Sequence, residues 1–137
     1  MKPEVLDRFA ATTQTIREPE QLRTYECDGL TGHRVIPELV ALPGSVEEVQ
    51  AVVRLCDEER IPFVARGAGT GLSGGALPVA EGIVISLARL TRILEVDVER
   101  GCVVVEPGVA NLDVTRAVAD AGFYYAPDPS SQTRKRT

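Results

Sequence analysis

The sequence predicts a mixed α+β fold: a strand, helix, strand unit followed by an antiparallel hairpin and a further helix. Three observations carry this reading. In "SVEEVQAVVRLCDEER" the apolar residues recur at spacings of three and four, the period of a helix with one buried face. The runs "ELVAL", "IPFVAR" and "GIVISL" are short and apolar, as buried strands are. Between the last two lies "RGAGTGLSGGAL", with five glycines from Gly67 to Gly75, too punctuated for a helix.

Taken in order, "PEVLDRFAATTQ" puts Val5, Leu6, Phe9 and Ala10 on one helical face, and Pro3 suits the first turn. The polar stretch "REPEQLRTYECDGLTGH" reads as irregular. "ELVALPG" is a brief buried strand ended by Pro43 and Gly44. Ser45 and Glu48 then form a capping-box pair, and Val46, Val49, Val53 and Cys56 make the apolar stripe of the helix that follows. "IPFVARG" and "GIVISL" are the second and third strands; the βαβ order predicts parallel pairing through a right-handed crossover. "RILEVDV" and "CVVVEPG" flank "ERG" as an antiparallel hairpin, and "NLDVTRAVADAG" is a helix opening at the N-cap candidate Asn111 and closing at Gly122. No repeat or low-complexity tract interrupts the chain.

A chain of 137 residues, 44% hydrophobic and 26% charged, has the composition of one small globular domain. No apolar run approaches the roughly 20 residues of a membrane span. The start "MKPEVLDRF" has neither a signal-peptide core nor an arginine-rich, acid-poor transit pattern, so a cytoplasmic location is expected. A net charge of −5 speaks against nucleic acid as a partner. Locally the balance reverses: from Arg60 to Ala80 there are two arginines and no carboxylate. Cys27, Cys56 and Cys102 are odd in number and widely spaced, which predicts reduced, mostly buried thiols and no disulfide or zinc site. His33, alone between glycine and arginine, is assigned no role, and no metal site is expected.

Gly69, Gly71 and Gly74 meet the spacing G-x-G-x-x-G, and Glu95 lies at a suitable distance for a ribose contact. The dinucleotide fingerprint also requires a helix to start in the loop, and "ALPVAEG", broken by Pro78, leaves no room for one. The phosphate loop of nucleotide hydrolases is excluded because no Gly-Lys-Ser/Thr follows. Two readings remain. One is a flexible surface loop or a tight bend between strands; the other is a nest of backbone N–H groups for a diphosphate, with Arg66 at its entrance and Thr70 and Ser73 inside it. In the second reading the loop follows a buried strand.

"IPFVARGAGTGLSGGALPVAEGIVISLARLTRILEVD" and "VVVEPGVANLDVTRAVADAGFYYAPDPSSQ" together resemble the PCMH-type FAD-binding domain of the vanillyl-alcohol-oxidase superfamily. Within it, the chain is most similar to the FAD-binding subunit of glycolate oxidase and the related D-lactate dehydrogenases. The likeness extends upstream through "DGLTGHRVIPELVALPGSVEEVQAVVRLC". It implies that Arg66, Gly67, Ala68, Gly69, Thr70, Gly71, Leu72, Ser73, Gly74 and Gly75 wrap the FAD pyrophosphate. It also implies that Asp128, Pro129, Ser130 and Ser131 lie near the flavin. By itself "PDPSS" is a proline-set turn ahead of a helix N-cap. The loop carries none of the histidines that often tether flavin covalently in this superfamily, so the FAD implied is non-covalent.

The resemblance stops at Gln132, before the basic tail "TRKRT". It divides the chain into a lead-in over 1–33, a partial PCMH-type domain over 34–132 and a non-matching tail over 133–137. The expectation is of a truncated chain, an incomplete FAD-binding domain inactive alone, with no catalytic base to name. The parent activity implied is oxidation of a 2-hydroxy acid such as glycolate or D-lactate, with an iron–sulfur subunit as a possible electron acceptor. A non-catalytic nucleotide-binding or interaction module is the reading from a different class.

Overall fold

The computed structural model describes residues 1–127, which fall into two compact units split between Arg89 and Leu90. The first begins with α1 (Pro3–Thr12), β1 (Thr15–Ile16), α2 (Pro19–Leu22) and a 3-10 turn over Arg23–Tyr25. It continues through β2 (Leu39–Ala41), α3 (Val46–Glu58), β3 (Phe63–Arg66) and β4 (Ile83–Ser86). The second unit holds β5 (Ile93–Asp97), β6 (Cys102–Val105), α4 (Asn111–Val118) and a 3-10 turn over Ala119–Ala121.

The four-stranded sheet of the first unit runs β1-β2-β4-β3. β2 and β3 both pair with β4 in parallel, so the predicted parallel βαβ unit forms with β4 inserted between its strands. That insertion leaves β3 at the edge. Phe63 is 41% exposed, which corrects the expectation of a buried strand ahead of the glycine loop. β2 and β4 are buried at every position, as uninterrupted apolar runs predict for strands covered on both faces. The helical turns of 19–25 lie in the stretch from Arg17 to His33 whose polarity reads as irregular, and the short antiparallel β1 lies just before it.

The two-residue period of a strand divides the core between the faces of this sheet. Leu39, Ala41, Ile83 and Ile85 meet Val5 and Phe9 of α1 and Val52, Leu55 and Cys56 of α3. Val40 and Val84 meet Leu22, with Ile16, Tyr25 and Leu42 packed alongside. The stripe of α3 is therefore rotated from the predicted one: Val52 and Leu55 are buried, while Val46 in the first turn is 47% exposed. On α1, Ala10 is likewise exposed. Burial raises the Cys56 thiol to about 11. Cys27 is half-buried and Cys102 exposed, so only one of the three thiols is a core residue.

Both ends of α3 are closed by side chain or backbone. The Glu48 N–H donates to Ser45 Oγ at 3.2 Å. The Glu48 carboxylate accepts from the Thr13 hydroxyl at 2.7 Å and the Gly44 N–H at 2.9 Å, tying α1 to the turn before α3. These bonds, Thr13 first, hold its pKa below the usual carboxylate value. At the other end the Ile61 N–H reaches the Cys56 carbonyl at 2.8 Å and the Arg60 N–H the Asp57 carbonyl at 3.2 Å. That is a Schellman closure, with Arg60 at φ 56 in the position glycine usually fills.

In the second unit, β5 and β6 pair antiparallel with Asp97 opposite Cys102, as predicted for the hairpin around "ERG". Gly101, at φ 65, turns the chain, and the Arg100 N–H donates to Asp97 Oδ1. Buried Glu106 accepts from the Arg92 side chain at 2.8 Å and its backbone N–H at 2.6 Å. The Arg92 hydrogen bond is the main cause of its lowered pKa. α4 starts one residue earlier than expected: Ala110 is the N-cap, and Asn111 already lies inside the helix. Gly122 ends the 3-10 turn that follows α4, in the left-handed region at φ 80, where glycine carries no Cβ penalty.

Candidate functional site

β3 and β4 are parallel neighbours, so the chain leaving Arg66 must return to the opposite end of the sheet before Ile83. Such crossovers are usually helical. Here segment 67–82 makes the crossing without a helix or strand, which agrees with the rejection of the dinucleotide fingerprint. The glycine loop is the first half of this crossing.

Its glycines divide into two kinds. Gly69 and Gly74 have φ of 68 and 75, so they are the positions where the backbone itself requires glycine. A Cβ on Gly69 would also fall on the Arg66 guanidinium. At Gly67, Gly71 and Gly75 no heavy atom lies within 4 Å of an added Cβ. These three present bare backbone to open space. Leu72 is 74% exposed, Ala68 and Ser73 are exposed, and Thr70 is half-buried.

Arg66 behaves differently from the entrance cation expected. Two-residue periodicity puts it on the face of Val64 and Val84, and it is buried there. Its Nη1 donates to the Cys27 carbonyl at 2.7 Å and the Ala76 carbonyl at 3.3 Å, and its guanidinium lies 5.4 Å from the centre of the Tyr25 ring. Buried Asp28 meets the loop from the same segment. Its Oδ1 accepts from the Leu30 N–H at 2.8 Å and its Oδ2 from the Ala76 N–H at 3.4 Å. Gly29 lies so close that a Cβ would stand 2.6 Å from the Gly71 carbonyl oxygen and 2.7 Å from that of Thr70.

Tyr25, Asp28 and Gly29 thus form a floor that sequence spacing alone does not reveal, because nearly 40 residues separate them from the loop. The only signal was that "DG" opens the upstream part of the resemblance. Asp128, Pro129, Ser130 and Ser131 lie outside the described residues.

An FAD pyrophosphate carries negative charge and needs close approach to backbone N–H groups. Segment 67–75 fits that demand: it has no carboxylate, two positive-φ glycines that bend it, and three glycines open on their outer side. The donor set is backbone and hydroxyl, suited to phosphate oxygens.

Comparison with known proteins supplies the family. A family model described as an FAD binding domain matches residues 37–135. The glycolate oxidase subunit GlcD of Escherichia coli K12 is 47% identical over 119 residues, which cover 87% of this chain and 24% of that protein. A D-lactate dehydrogenase of Anaerostipes hadrus is 41% identical over 96 residues, covering 70% of this chain and 20% of its own. Among solved structures, an alkyldihydroxyacetonephosphate synthase superposes with a TM-score of 0.83 at 21% identity, over 98% of this chain and 28% of that one. The last likeness concerns the fold alone. The chain spans between a fifth and a quarter of the length of these curated relatives. By the match over 37–135, this chain belongs to the FAD binding domain family, in the branch that resembles glycolate oxidase subunits and D-lactate dehydrogenases, and its cofactor is FAD.

Proposed function

We propose that residues 34–132 are the FAD-binding portion of an oxidoreductase that converts a 2-hydroxy acid, glycolate or D-lactate in kind, to the 2-oxo acid. The observation that carries it is the helix-free glycine crossing between β3 and β4, with Gly67, Gly71 and Gly75 open to a ligand. Backbone N–H groups of 67–75 hold the pyrophosphate, and the Thr70 and Ser73 hydroxyls add contacts. Asp128, Pro129, Ser130 and Ser131 are the further cofactor-binding residues of this reading. Bound non-covalently, FAD would supply the acceptor for the hydride on the α-carbon of the hydroxy acid, with the hydroxyl proton released alongside. The named relatives' substrates support the substrate class, and the subunit status of GlcD supports transfer of the electrons to a partner, for which an iron–sulfur protein is the proposed class.

Two measurements test this. In titrations of the chain with FAD, ADP should compete and FMN should not, because ADP retains the diphosphate that the loop grips. Equal competition by both, or by neither, would remove the pyrophosphate assignment. The second measurement replaces the matching 119 residues of the E. coli glycolate oxidase subunit with this segment. Flavin bleaching by glycolate or D-lactate under anaerobic conditions is expected. A chimera that binds FAD yet is bleached by neither acid would leave only a nucleotide-binding module.

A further inference from the structure

We propose that the segment from Tyr25 to Leu30 is a clamp that sets the shape of the glycine loop from beneath, and that Arg66 is a positioning residue within it rather than a ligand of the cofactor. The inference rests on the loop being the FAD pyrophosphate site.

Ala76, at the far end of the glycine run, is held by both of its backbone groups. Arg66 Nη1 donates to its carbonyl at 3.3 Å, and Asp28 Oδ2 accepts from its N–H at 3.4 Å. The same Arg66 nitrogen reaches the Cys27 carbonyl at 2.7 Å, so one buried guanidinium links the lead-in segment to the end of the loop. Tyr25 lies against that guanidinium and is itself packed against the core of Val40 and Val84. The clamp is thereby rooted in the sheet.

Steric fit closes the remaining gap. Gly29 lies against the carbonyls of Thr70 and Gly71, and the positive-φ turn at Gly69 leaves just the room the guanidinium fills. With the carbonyls of Cys27 and Ala76 and the Tyr25 ring around it, the cation supports the loop and is directed away from a ligand on its open side. Arginine suits this role because its planar guanidinium can lie over a ring while one of its nitrogens bonds two carbonyls; lysine offers the charge without the plane.

Gly29→Ala and Arg66→Lys in the full 137-residue chain test the clamp. Hydrogen exchange in the absence of cofactor should show the Leu30, Ala76 and Leu77 amides exchanging at least tenfold faster in both variants, with the β2 and β4 amides unchanged. Unchanged exchange at Ala76 and Leu77 would overturn the proposal. In FAD titrations across a range of salt concentrations, each variant should bind at least tenfold more weakly, with the salt dependence of the wild type preserved. If Arg66→Lys restores wild-type affinity, or if Arg66→Met flattens the salt dependence, Arg66 is an anion ligand and the proposal fails. Should the wild-type chain bind no FAD by itself, as an incomplete domain would, the exchange rates still decide whether the clamp exists.

Discussion

Alanine at Gly69 and alanine at Gly71 should separate the strain that the loop holds from the space it keeps for a ligand. At Gly69, φ is 68, and an L-residue there costs about 1–2 kcal/mol. Its Cβ would also displace the Arg66 guanidinium. Losing one charge-assisted hydrogen bond to a buried carbonyl costs about 1.5–3 kcal/mol. Alanine recovers roughly 0.4–1 kcal/mol by restricting the unfolded chain, so the net loss is about 2–4 kcal/mol. For a chain of this size that lowers Tm by on the order of 10 °C.

Gly71 has no positive φ, and nothing lies within 4 Å of its added Cβ. Gly71→Ala should therefore melt within a few degrees of wild type without cofactor, slightly higher if anything. With FAD, the methyl group enters ligand space, and overpacking of about 1–3 kcal/mol weakens binding roughly 5- to 150-fold. Thermal denaturation followed by circular dichroism reads the first quantity, and quenching of flavin fluorescence on titration reads the second. If Gly69→Ala melts like wild type, the strain assignment is wrong. If Gly71→Ala binds FAD like wild type, the open face of that glycine is not where the cofactor lies.

Other substitutions probe single contacts. Ser73→Ala should weaken FAD by about 1 kcal/mol, the scale of one net hydrogen bond, and so by less than Gly71→Ala in the same titration. Glu48 has a lowered folded pKa, so its contribution is complete above the ordinary value of 4.5 and is lost as pH falls through the folded value. An acid titration of the wild type should therefore lose stability below that point more steeply than one of Glu48→Gln, and parallel curves would refute the assignment. Arg60→Gly should raise stability by about 0.5–1 kcal/mol, because it relieves a left-handed arginine at φ 56 in the α3 closure; denaturant midpoints measure it.

Local signals in the sequence located most of the elements. The parallel strands are continuous apolar runs, α3 has the helical period and a cap, and the hairpin turns at Gly101, where φ is positive. What escaped depended on pairing at a distance. That β4 enters between β2 and β3 cannot be read from order along the chain, and this is what moves β3 to an edge. β1 has two residues, too few for any period to register. Asn111 reads as a cap by residue type, yet the chain enters α4 one residue sooner. At the site, the glycine loop was legible because glycine density is unusual in itself. The floor beneath it was not, since Tyr25, Asp28 and Gly29 have no composition that sets them apart from an ordinary polar connector.

The placement of β4 also explains why this loop needs a floor. Where a crossover contains a helix, the first turn of that helix fixes the backbone N–H groups that meet a phosphate, and the helix packs them against the sheet. Segment 67–82 has no helix to do either. A run of open glycines has many conformations of similar energy, and ordering each residue opposes binding by about 1–2 kcal/mol. A cofactor meeting an unsupported loop would have to offset that cost over several residues. Two positive-φ turns and the bonds from Arg66 and Asp28 to Ala76 restrict the loop before any ligand arrives. The buried arginine and the glycine density therefore have one cause, the choice of an irregular crossing in place of a helical one, with the backbone left bare on one side and braced on the other.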